Sequence, residues 1–125
     1  MRATKKHFLA LLSMELEDMR EDIDALIRNC ENRKDRGEIT EYVFQENITV
    51  YQSLLSGVEC MDHAIKQVDL DADGDLNDLT EHLCQQCHAR LLEHGLSRGL
   101  ERALRRKVGK IARFLEGTAA RKDAG

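Results

Sequence analysis

Two stretches of this 125-residue chain hold residues whose types and spacing could do chemistry. The first is Asp69–Asn77, DLDADGDLN, where Asp69, Asp71 and Asp73 alternate with other residues and run into Gly74. Carboxylates spaced this closely on a tight turn supply the several oxygens that calcium requires. Asp69, Asp71, Asp73 and Asn77 are therefore the candidate calcium ligands. The ordinary alternative is a solvated turn, since aspartates favour turns and are stabilised just before a helix. The second stretch is a pair of short motifs, Cys60-x-x-His63 and Cys84-x-x-Cys87. Folding the chain back about the acidic loop puts Cys60 level with Cys87 and His63 level with Cys84. Three cysteines and one histidine form a standard tetrahedral zinc set.

Helical facing weighs against that zinc set. At ~100° per residue, Cys60 and His63 fall on the back of the apolar stripe of their helix, whereas Cys87 falls within the stripe of the next. The ordinary alternative makes Cys30 and Cys87 small core residues and leaves Cys60 and Cys84 half-exposed.

Each stretch also carries a resemblance. Over nine residues, with Gly74 at the sharp turn and Leu76 at the apolar anchor, Asp69–Asn77 resembles the calcium loop of EF-hand proteins. The twelfth position, where that family has a bidentate Glu, is Thr80, with Glu81 one residue further on. Cys84-Gln85-Gln86-Cys87-His88 resembles the attachment motif of c-type cytochromes and, more loosely, of the four-helix cytochromes c′. That resemblance implies thioether bonds from Cys84 and Cys87 to a haem and iron ligation by His88.

No nucleophile, base and orienting group share a readable spacing. His7, His82 and His94 are unlinked, Glu81–His82 are sequence neighbours that do not face one way on a helix, and the E-x-x-H repeats of di-iron bundles are absent. The expectation is a protein that is not an enzyme.

The elements that must position these residues are helices. The chain has no proline and is rich in straight-chain residues. Leu9, Leu12, Leu16, Met19, Ile23, Leu26 and Cys30 recur at alternating spacings of three and four, which predicts a helix over about residues 4–33 with a heptad seam. Phe8 widens that stripe, and Leu11 and Met14 fall on the opposite face. Gly37 suits the helix end and Thr40 the next N-cap. A second helix is predicted over about 41–68, with a stripe of Phe44, Ile48, Tyr51, Leu55, Val58 and Ile65, flanked by Val43, Val50, Leu54, Met61 and Val68. Its back, from Gln45 through Cys60 and His63 to Gln67, is polar and almost uncharged. A third follows over about 78–94, with Asn77 as N-cap and Gly95 after its end. A fourth is predicted over about 98–116, with Ser97 as cap and a stripe of Leu100, Leu104, Val108, Ile111 and Leu115.

Four amphipathic helices with short links predict an all-α, antiparallel up-down-up-down four-helix bundle, with helices 1 and 2 longer than 3 and 4. Residues 1–116 form one domain and 117–125 a flexible tail. The unequal lengths leave apolar surface at one end, where Leu11 and Met14 lie if the fourth helix stops short.

Charge is unevenly placed. Residues 1–97 carry 10 Lys/Arg against 20 Asp/Glu, and residues 98–125 carry 9 against 3. The acidic whole-chain balance argues against a nucleic-acid surface, so the arginine face of the fourth helix is expected to answer the acidic face of the first, within the chain or across a dimer. The N-terminus lacks the pattern of a secretory signal and no run is long enough for a bilayer span, which predicts a cytoplasmic protein with reduced thiols.

These readings predict a small cytoplasmic interaction or assembly module, homodimeric through Leu11, Met14, Arg102, Arg106 and Arg113, needing no cofactor and serving an unknown protein partner. The alternatives are a metal-binding bundle, with calcium at the acidic loop or zinc at the cysteine cluster, and then a haem protein.

Overall fold

A computed structural model describes residues 2–72, 74–93 and 98–124. Four helices are present: α1 (Arg2–Asp35), α2 (Glu41–Lys66), α3 (Leu76–Glu93) and α4 (Arg98–Ala124). They form the antiparallel up-down-up-down bundle. Helices adjacent in sequence pack together, and α4 returns against α1 to close the ring. Among the described residues no strand occurs and no helix is long and apolar enough to cross a membrane.

The turns follow from local chemistry. Gly37, at φ +75°, ends α1 in a Schellman arrangement, with Gly37 N donating to the Lys34 carbonyl and Glu38 N to that of Arg33. Thr40 caps α2, its hydroxyl accepting from Val43 N at 3.2 Å. The cap of α3 differs from expectation. The helix begins at Leu76, so Asp75 is its N-cap and Asn77 lies inside the first turn. Asp75 Oδ1 accepts from Asp78 N and Asp78 Oδ2 accepts from Asp75 N, each at 3.0 Å. This reciprocal pair satisfies two orphan N–H groups, where Asn77 could satisfy one. The caps expected at Gly95 and Ser97 lie outside the described residues.

Length order is a second difference. The helices run 34, 26, 18 and 27 residues. α1 is the longest and α3 the shortest, but α4 continues through residues 117–124 instead of ending near Glu116, and so matches α2. Gly117 costs the helix only about 1 kcal/mol, and the following Ala, Arg and Lys are strong helix formers.

Phe8, Leu12, Leu16 and Ile23 of α1 meet Val58 and Met61 of α2, Leu83 and Cys87 of α3, and Leu104 and Val108 of α4 in one apolar cluster. Phe8, expected only to widen the stripe, is fully buried, because α3 and α4 close over the first turns of α1. The α4 stripe is buried at Leu104, Val108 and Leu115; the side chain of Leu100 lies outside the described residues.

Apolar surface stays open at both ends, since Met14 is 65 % exposed at the expected one. α4 reaches past the first turns of α1, so Leu11 is half-buried there. The α1–α2 hairpin also projects at its turn end. Leu26, Val43 and Val50 lie on or near the core-facing lines of their helices yet are 43 %, 38 % and 57 % exposed, because α3 and α4 do not extend over them.

Candidate functional site

The acidic loop is built around backbone hydrogen bonds. Asp69 Oδ1 accepts from Asp71 N at 2.9 Å, an Asx turn, and Asp75 and Asp78 are engaged in capping α3. Gly74 takes φ +118°, the left-handed conformation its place at the sharp turn requires. Lys5, from the first turns of α1, is 6 % exposed and donates from Nζ to the Ala72 carbonyl at 2.9 Å. An ammonium group thus already brings positive charge to the loop. Leu76 is buried as the anchor, Asn77 is exposed on α3, and Asp73 lies outside the described residues.

The cysteines are placed differently from expectation. Cys60 and Cys84 are buried along with Cys30 and Cys87, not half-exposed. The reason is how α2 faces: Cys60 and Ala64 lie beside α3, so part of the face read as a polar back is a helix contact, and its small residues allow close approach. Burial raises all three thiols of the α2–α3 cluster. Cys87 is pushed from 9.0 to about 12, first by burial and then by the neighbouring Cys60 and Cys84. Cys60 and Cys84 are raised for the same leading reason. Such thiols are protonated and inert at neutral pH.

His63 does not join them. It is exposed and shares a shallow surface pocket with Gln86, Ala89 and Arg90. His88 faces α4, its Nδ1 2.6 Å from Glu101 Oε1, while Cys87 lies in the core between helices. Cys84, Cys87 and His88 therefore do not open onto one crevice. Among the described residues, no group of three or more His, Cys, Asp or Glu side chains is arranged to hold a metal ion.

The residues expected at an interface come together in part. Leu11 and Met14 of α1 and Ile111 and Phe114 of α4 line a groove of about 480 Å³, with Glu15, Asp18, Lys107 and Lys110 along its edges. Met14 is 65 % and Phe114 64 % exposed. Lys107 Nζ lies 3.0 Å from Glu15 Oε2. Arg102, Arg106 and Arg113 are exposed on the outward side of α4, whereas Arg105 is drawn to Glu81 and Glu101 on the α3 side.

Sequence reasoning missed two positions that organise this end of the bundle. Lys5 stands three residues before Phe8 and seven before Leu12, a charge on an apolar stripe, which signals a buried partner. Asp75-x-x-Asp78 has the spacing of a capping box.

No protein-family model matches the chain, and no curated protein or solved structure compared with it is significantly similar.

Proposed function

We propose that this protein is a non-catalytic helical-bundle interaction module that self-associates. The observation that carries the reading is the pair of exposed apolar side chains, Met14 and Phe114, set in a groove between α1 and α4. Exposed Met and aromatic groups in a groove rimmed by charge have the character of an interface core. The open face of the hairpin at Leu26 and Val50 adds a second apolar surface of the same kind. A non-catalytic role agrees with thiols held protonated by burial and with His88 engaged by Glu101. Four free, buried cysteines suit the reducing environment of the cytoplasm. Sedimentation velocity across a concentration series tests the reading: a dimer at micromolar concentration is expected, and a monomer at high micromolar concentration overturns it.

A second reading, calcium binding at the acidic loop, is favoured by one observation, the positive φ of Gly74 at the sharp-turn position. Calorimetric titration with calcium alone tests it, and an absence of heat at millimolar calcium removes it.

A further inference from the structure

The outer faces of α1 and α4 carry opposite charge, and part of it is unpaired among the described residues. Asp18, Glu21 and Asp22 on α1 and Arg102 and Arg106 on α4 are exposed, and none forms an ion pair among the described residues. Among the described residues, the ion pair that joins the two helices is Glu15–Lys107. The apolar seam of Met14 and Phe114 lies in the groove between the two helices, edged by Glu15, Asp18, Lys107 and Lys110; Arg102 and Arg106 stand further out on α4. From this we infer that the α1–α4 face docks against the same face of a second copy of the chain, about a two-fold axis parallel to the helices. The inference rests on the self-association proposed above and names the surface and its geometry.

A two-fold interface places one patch on itself, and the axis lies in the plane of contact. An axis across the helices would set α1 on α1 and α4 on α4, bringing acids against acids and arginines against arginines. An axis along the helices sets each α1 on the α4 of the partner subunit, so the acidic edge meets the basic edge twice. Like charges brought face to face disfavour the first arrangement, and complementary edges favour the second.

The register follows from a contact inside one chain. An axis parallel to the helices keeps every residue at its own level, so Glu15 beside Lys107 fixes levels across the interface too. Asp18 is then level with Leu104, between Arg102 and Arg106, and Glu21 lies within a turn of Arg102. Phe114 is level with the first turns of α1, which brings its ring to the Leu11 end of the partner's seam. Met14 is level with Val108 and falls against the α4 side. Two anchors per protomer inside a charged rim match the distribution seen in specific interfaces.

The test uses two full-length variants, Arg102→Glu with Arg106→Glu, and Asp18→Arg with Glu21→Arg. All four positions are exposed, and circular dichroism checks that each variant stays helical. Each variant alone opposes like charges at both contacts, so its dimer is expected to weaken at least about tenfold. An equimolar mixture restores both contacts and is expected to recover the dimer by sedimentation velocity and native mass spectrometry. The wild-type dimer is also expected to weaken as salt rises. If the arginine variant dimerises like wild type, the docking face is overturned while self-association stands. If the mixture remains monomeric, the axis is overturned. If wild type itself is monomeric, the reading beneath the inference falls. Where charge reversal costs helicity, Arg102→Gln with Arg106→Gln gives the same readout by weakening the dimer; no weakening there also overturns the face.

Discussion

Lys5 Nζ donates to the carbonyl of Ala72 at 2.9 Å across 67 residues of sequence, tying the start of α1 to the loop between α2 and α3. The ammonium is almost fully buried, and its aliphatic stem runs along the apolar stripe. Replacing Lys5 by Met keeps the stem and removes the donor. A charged hydrogen bond of this kind is worth about 1.5–3 kcal/mol, so K5M is expected to lower the urea midpoint accordingly and to speed amide exchange at residues 69–72. Unchanged exchange there would show that the loop holds itself.

The cap of α3 makes a sharper prediction. Asp75→Ala removes one arm of the reciprocal pair and is expected to cost about 1 kcal/mol, whereas Asn77→Ala is expected to stay within about 0.5 kcal/mol. Chemical denaturation of the two variants side by side decides whether Asp75 or Asn77 starts the helix.

Gly74 is constrained twice. Its φ is +118°, and an added Cβ would lie 2.8 Å from Asp78 Oδ2 and 3.0 Å from Asp78 Cβ. Gly74→Ala is therefore expected to destabilise by more than about 1 kcal/mol, since Ala fits neither the conformation nor the space. A thermal midpoint equal to wild type would contradict this backbone at the turn.

The buried thiols set an alkaline limit. Cys87 holds its proton to about pH 12 in the folded chain against an ordinary value near 9.0. The folded state binds that proton more tightly than the unfolded chain does. The resulting stability is complete below pH 9 and is lost as pH rises from there toward 12. Cys60 and Cys84 act in the same direction. Stability measured from pH 7 upward is expected to fall above pH 9, and Cys87→Ala is expected to flatten that fall. Alkylation by iodoacetamide at pH 7 is expected to be slow until denaturant unfolds the chain.

Two leucines of one seam separate covered from open core. Leu16→Ala, in the closed part of the bundle, is expected to cost about 2–5 kcal/mol. Leu26→Ala, on the projecting hairpin, is expected to cost less than about 1.5 kcal/mol, since its side chain keeps much of its contact with water. Equal losses would mean that the hairpin end is covered in solution.

Local sequence was enough for four helices, a helix end at Gly37, the cap at Thr40 and the seam through Leu12, Leu16, Ile23 and Cys30. Each depends on residues within a few positions of one another, so local propensity and period suffice. Tertiary structure decided what depends on neighbours distant in sequence. The stripe of α2 did not reveal that Cys60 and Ala64 face α3, because small and weakly polar residues become core only when a helix lies on them. It did not reveal that Val43 and Val50 stay open, because apolar spacing says which way a side chain points and not whether anything reaches it. Nor did spacing show that Lys5 reaches the acidic loop or that α4 leaves Leu11 half-buried. Those contacts arise from where each helix begins and ends against the others, and burial is a property of the assembled bundle.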